Sequence, residues 1–212
     1  TAALEALRAR IDALGESSVK TVVSPFWSNE DLGAVSRLTQ ALGGGAVVFR
    51  SPRADEEVEL RGYEGLARRK ALAPNEQGAE LLGCERVGDD AGRGGLDDLA
   101  EHDGVVLILG DALHDQPEGF APNAALLLYL GAYTSSALAS AEFQLPVTTF
   151  AEQEGTFTNH AGRVQRFWPA LSGPGTARPA WLVLGALLGA LQNEEGPSSA
   201  EQAFGLVANS VE

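Results

Sequence analysis

Residues 20–49 read KTVVS-PFW-SNEDLGAVSRLTQAL-GGG-AVVF, and this stretch decides the fold. KTVVS is a short β-branched run that Pro25 ends, since proline cannot extend a ladder. Ser28 then stands where a helix N-cap belongs, with Glu30 and Asp31 in the first turn, where the helix dipole favours negative charge. Leu32, Val35, Leu38 and Leu42 follow at helical spacing, and Gly43 to Gly45 stop the helix. Residues 46–49 make a second strand. Strand, helix and strand joined by short links predict one layer of a parallel α/β sheet.

Working outward, the same logic extends the sheet. On the N-terminal side, residues 3–14 place Leu4, Leu7, Ile11 and Leu14 on one helical face. On the C-terminal side, residues 104–109 (GVVLIL) and 124–130 (AALLLYL) are continuous apolar runs of the kind buried on both faces in parallel sheets. Residues 145–149 supply a fifth strand. Short helices are predicted at 75–82, capped by Asn75, at 96–101 and at 135–140. Residues 50–74 are rich in charge, Gly and Pro and read as a surface excursion, and 84–95 (CERVGDDAGRGG) as a flexible turn region. Residues 156–158 and 163–167 predict a β-hairpin closed by Asn159-His160-Ala161-Gly162, with Asn and Gly at the first and fourth positions that type I turns favour. Pro179 opens an apolar helix to Leu191. Ser198 with Glu201 reads as a capping box for a last helix reaching Asn209, so helices fill 179–209. The expectation is one domain over residues 1–212: a Rossmann-like, doubly wound, mostly parallel sheet with an added hairpin at 150–170 and C-terminal helices.

Composition limits what such a domain can do. Twenty-nine acidic residues against 15 basic ones give a net charge of −14. That surface repels phosphate backbones and anionic lipid heads, which argues against nucleic acid as a partner. The most apolar stretch, residues 181–191, falls well short of the roughly 20 residues needed to cross a bilayer, so no direct membrane insertion is expected. Cys84 is the sole cysteine, which excludes an internal disulfide and a multi-thiolate zinc or iron–sulfur site within these residues. Methionine is absent and the sequence starts at Thr1 directly in a helical pattern, as expected of a piece of a longer polypeptide.

Candidate chemistry is sparse. Gly110-Asp111 closes a buried strand at its C-terminal end, where open α/β sheets place ligands, but no GxGxxG or Walker lysine follows. The simpler reading is a strand-ending Gly and a helix-initiating Asp. Gly43-Gly44-Gly45 lies after a helix and before a strand, the wrong side for a phosphate loop. His102, His114 and His160 are far apart and read as surface residues. Ser135-Ser136 and Thr148-Thr149 offer hydroxyls without a nucleophile elbow. Cys84 sits beside Glu85, a setting that raises a thiol pKa. Asp55-Glu56-Glu57 reads as a solvated loop, and Arg68-Arg69-Lys70 is the sole basic cluster.

One segment is more particular. FAEQEGTFTNHAGRVQ at 150–165 resembles the E-x-E-G-T-(F/Y)-x-N-x-x-G-R-x-Q element of the molybdopterin oxidoreductase superfamily. Ser24-Pro25 with Ser28-Asn29-Glu30-Asp31, Pro74-Asn75 through Gly78-Ala79 to Gly83, and the strand at 104–110 before Asp111 resemble three further elements of that superfamily, in the same order. Gly162 before Arg163, the continuation RFWPAL at 166–171 and RPAW at 178–181 are similar to the branch formed by the large iron–sulfur subunit of bacterial NADH-quinone oxidoreductase, complex I. The resemblance implies a domain that keeps the fold without catalytic residues, metal or pterin of its own, with iron–sulfur clusters elsewhere in the parent polypeptide. It also implies partners among the other subunits of the peripheral arm, on the cytoplasmic side of the inner membrane. Glu154, Gly155, Thr156, Asn159, Arg163 and Gln165 are then vestigial pterin-motif positions that hold the domain's own loops. The alternative is a fragment of a true molybdopterin enzyme, such as a formate dehydrogenase or nitrate reductase, in which such positions contact the cofactor.

Overall fold

A computed structural model describes residues 2–211. In chain order its elements are α1 (Ala2–Leu14), β1 (Val19–Val23), α2 (Asn29–Ala41), β2 (Val47–Phe49), β3 (Val58–Glu59), β4 (Ala67–Arg68), α3 (Glu76–Leu81), β5 (Glu85–Arg86), α4 (Asp97–Ala100), β6 (Val105–Leu109), β7 (Leu126–Gly131), a 3-10 turn at Ser136–Ser140, β8 (Phe143–Pro146), β9 (Gly155–Thr158), β10 (Val164–Phe167), α5 (Ala180–Gln192) and α6 (Ala200–Ala208).

Six strands form one sheet in the order β5-β2-β1-β6-β7-β8, and every pair in it is parallel. Numbered along the chain, those six run 3-2-1-4-5-6, the doubly wound order of dinucleotide folds, with the order reversing between β1 and β6. The predicted α/β class is therefore observed, with all five predicted strands present. The sixth, β5, falls in the segment expected to be a flexible turn. Glu85 and Arg86 pair with Val48 and Phe49 through backbone alone, which no side-chain pattern reports. The last sheet strand also starts two residues earlier than expected, at Phe143.

Residues alternate between the two faces, as strand geometry requires. Val23, Phe49, Leu107, Leu109, Leu128 and Leu130 pack on one side with Leu7, Ile11, Leu32, Leu38, Leu184 and Leu187 from α1, α2 and α5. Val22, Val106, Ile108, Leu127 and Tyr129 face the other side. There Leu96, Leu99, Leu113, Phe120 and Leu138 come from α4, the 3-10 turn and the connection after β6. One face thus carries long helices and the other short turns.

Ser28 caps α2 in a full capping box with Glu30 and Asp31 in its first turn, as expected, and both carboxylates are buried. Two local readings need correction. The α6 cap is Ser199, accepting from Gln202 N, while Gln202 Oε1 reaches back to Ser198; Glu201 takes no part in it. Asp111 starts no helix, and the chain turns through residues 111–115 instead. The excursion at 50–74 projects a small exposed hairpin, β3–β4, and the triple glycine after α2 ends it with Gly43 at φ +76°.

Candidate functional site

Two regions lie along the carboxyl ends of the strands. The first is a buried polar hub under the β9–β10 hairpin. Asp31 Oδ2 accepts from Ser28 N (3.3 Å), Ser28 Oγ (2.7 Å) and Gln153 Nε2 (2.5 Å), and Oδ1 accepts from Trp181 N (2.9 Å). A single carboxylate thereby closes the first turn of α2, satisfies an otherwise orphaned amide at the start of α5 and ties down the loop leading to β9. Glu30 accepts from Thr156 N (2.8 Å) and Thr156 Oγ1 (2.9 Å). Asn29 Nδ2 donates to Thr156 Oγ1 and Thr158 Oγ1, both at 3.0 Å. Asn75 completes the hub: Nδ2 donates to Trp27 O (2.9 Å), and Oδ1 accepts from Thr158 N (2.8 Å). Asn75 thus stands at the N-cap position of α3 without a side-chain capping bond. Burial pushes both Glu30 and Asp31 above the ordinary carboxylate range, against the lowering effect of their hydrogen bonds.

The hub explains two glycines of the sequence motifs. A Cβ on Gly78 would collide with the side chains of Asn75 and Asn29. One on Gly155 would sit 2.9 Å from both Phe167 and Ser28 Cβ. The remaining motif positions divide by what they touch. Thr156 points inward to Glu30. Glu154 forms an ion pair with Arg166, whose guanidinium lies 3.9 Å from the Trp168 ring centroid. Asn159 Oδ1 accepts from Ala161 N (2.9 Å) and Arg163 N (3.1 Å), and its Nδ2 donates to Gln165 Oε1 (3.0 Å), closing the predicted turn with Gly162 at φ +73°. Arg163 and Gln165 are exposed. The structure therefore does not gather these six residues around one point.

The second region is the crevice at the switch point, between the ends of β1 and β6. A cleft of about 160 Å³ is lined by Phe26, Trp27, Gly110, Asp111, Ala132, Tyr133, Thr149 and Phe150. Gly110 has φ +84°, and a Cβ there would collide with Trp27 Nε1, so the indole lies directly against the end of β6. An anionic dinucleotide needs a glycine-rich turn after β1, free amides at the start of α2 and cationic side chains. Here the turn is Ser24-Pro25-Phe26-Trp27, without glycine. The α2 start is buried, Ser28 Oγ takes the Asp31 amide at 3.1 Å, and Asp31 supplies the negative charge internally. No Lys or Arg among the described residues lines the cleft. These residues do not fit a diphosphate.

The other candidates resolve as structure. His102 is buried rather than on the surface, with Nε2 3.0 Å from Ser18 O, because it packs under the start of β6; His114 and His160 are exposed. Cys84 is buried against Ser36, and burial, rather than its acidic neighbour, pushes its thiol up to about 11. Thr148 donates to Gln153 Oε1 (2.8 Å), Thr149 bonds Glu152, and Arg69 pairs with Glu57 (2.9 Å). Arg50 is a buried cation that sequence reading passed over. It pairs with Asp115 at 2.7 Å and holds that carboxyl well below its usual range despite partial burial, pinning the connection after β6 to the end of β2. No three His, Cys, Asp or Glu side chains among the described residues gather as a metal-holding group.

A family model described as molybdopterin oxidoreductase matches residues 77–190, from α3 into α5. That is more than half of the chain, and the chain belongs to this family. A 44-residue stretch is 48% identical to the F420-dependent formate dehydrogenase 2 subunit alpha of Methanococcus maripaludis. The match takes in 21% of this chain and 6% of that protein, so the chain spans only a small part of the relative's length. No helix among the described residues is long and apolar enough to cross a membrane.

Proposed function

We propose that this chain is a non-catalytic structural domain of the large iron–sulfur subunit of an NADH-quinone oxidoreductase, forming part of a longer polypeptide in the peripheral arm on the cytoplasmic side of the inner membrane. The observation that carries this reading is the switch-point crevice: the Trp27 indole walls it against Gly110, Asp111 faces it and no Lys or Arg among the described residues lines it. Open α/β sheets that bind an anionic dinucleotide place it in that crevice. The RFWPAL and RPAW segments and Gly162, similar to the complex I branch, support the same choice. In this reading Gly155 and Thr156 fasten the hairpin to the start of α2, while Glu154, Asn159, Arg163 and Gln165 belong to the hairpin's own ion pair and turn. Electron transfer belongs to clusters elsewhere in the parent polypeptide.

A second reading has a specific observation behind it. The short relative is part of a formate dehydrogenase, which favours a fragment of a true molybdopterin enzyme. Affinity purification of the protein carrying this chain from its native membrane fraction separates the two. The first reading predicts an assembly that reduces quinone with NADH and leaves formate untouched. Formate-dependent dye reduction without NADH activity would select the second.

A further inference from the structure

The switch-point cleft does not end at Phe150. A second cleft of about 150 Å³ shares Gly110, Asp111 and Tyr133 with it, and a third of about 430 Å³ shares Ala132, Tyr133 and Thr149 and adds Glu152. Together they make a groove across the carboxyl ends of β6, β7 and β8. Tyr133 is 70% exposed and Phe150 52%, and Phe26 also reaches solvent. Exposed aromatic rings gathered in a groove mark a partner surface. The groove is also built: Tyr129 OH donates to Tyr133 O (2.5 Å), and Glu152 Oε2 accepts from Thr149 N (2.9 Å) and Thr149 Oγ1 (3.0 Å).

We infer that this groove docks a basic, arginine-bearing segment of another polypeptide, with a guanidinium seated among Phe26, Trp27, Tyr133 and Phe150 against Asp111. Three observations converge on that occupant. Aromatic faces and carboxylates are the two groups that bind a guanidinium, by cation–π attraction and by charge-assisted hydrogen bonds. None of the three clefts has a Lys or Arg in its lining among the described residues, so an anionic ligand finds no counter-charge. The chain's net charge of −14 steers a basic partner toward it. The switch-point cleft, at about 160 Å³, suits a single side chain, and the adjoining cleft of about 430 Å³ leaves room for the rest of the segment. The inference rests on the reading that this crevice does not serve a dinucleotide.

Calorimetric titration of the purified full-length protein carrying this chain at low ionic strength tests it, with a blocked tri-arginine peptide, a blocked tri-lysine peptide and GDP as the probes. Tri-arginine is expected to bind saturably, several-fold more tightly than tri-lysine, and GDP not at all. Asp111→Asn and Tyr133→Ala, both at exposed positions that leave the core untouched, are each expected to weaken tri-arginine at least fivefold. Asp98→Asn, an exposed acid beside Lys20, is expected to leave it unchanged. Absence of saturable tri-arginine binding, or equal loss in Asp98→Asn and Asp111→Asn, would overturn the inference and leave the proposed function standing. GDP binding that Asp111→Asn abolishes would overturn both.

Discussion

The hub beneath the hairpin and the groove at the switch point sit side by side on the same rim of one sheet, yet they are built on opposite principles. In the hub, Asn29, Glu30, Asp31, Asn75, Gln153, Thr156 and Thr158 spend their polar atoms on one another, with almost no surface left to solvent. In the groove, Phe26, Tyr133 and Phe150 hold large apolar surfaces in water and Asp111 stands exposed. A network closed in this way has nothing left to offer a ligand, whereas an open aromatic surface has contacts still to make. On the proposed function, the buried part of the family motif, Gly155 and Thr156, works as a fastener. The groove's open aromatic surface lies at the edges of the motif elements, with Tyr133 from a connection that none of them covers.

That contrast can be broken by mutation, starting where the effect is greatest. Asp31→Ala leaves Ser28 N, Trp181 N and Gln153 Nε2 buried without their acceptor. A loss of about 4 kcal/mol is expected, enough to unfold a marginal domain, read by urea denaturation. Gly110→Ala tests the seam between the regions. It sets a Cβ against the Trp27 indole at a left-handed φ, at an expected cost of about 2–4 kcal/mol, with a changed tryptophan emission as the second readout. Thr158→Val removes the hydroxyl that Asn29 uses and should cost about 1–2 kcal/mol in the same denaturation assay.

Glu30→Gln sharpens the comparison through pH. The folded state holds the Glu30 proton more tightly than the unfolded chain, whose glutamates ionise near about pH 4.3. Stability from this group is thus present at low pH and lost as pH rises through the raised folded value. Gln accepts from Thr156 N through Oε1 and donates from Nε2 to Thr156 Oγ1, so the variant should gain on the parent as pH climbs above that window, seen as converging or crossing melting curves. The smallest effects belong to the groove: Tyr133→Ala and Asp111→Asn should each move stability by less than about 0.5 kcal/mol, checked by differential scanning fluorimetry.

What could be read from sequence follows the range over which each feature is encoded. GVVLIL and AALLLYL announce themselves as buried strands, and SNED announces a helix start, because each signal lies within a few residues. β5 was invisible because Glu85 and Arg86 carry no pattern and join the sheet only by pairing with Val48 and Phe49. The burial of Glu30 and Asp31 was missed because it depends on Thr156, Gln153 and Trp181, which are 122 to 150 positions away in the chain. Gly110-Asp111 marked the place of the groove, but its aromatic wall was missed because Phe26, Tyr133 and Phe150 sit in three separate connections, and only the 3-2-1-4-5-6 strand order brings those connections to one edge.

Metal and pterin analysis of the purified full-length protein carrying this chain reaches the central claim most directly. With molybdenum and tungsten quantified by mass spectrometry and pterin by fluorescence after oxidation, the account predicts far less than one metal atom per chain and no pterin signal. One molybdenum or tungsten atom per chain, with pterin in matching amount, would contradict it.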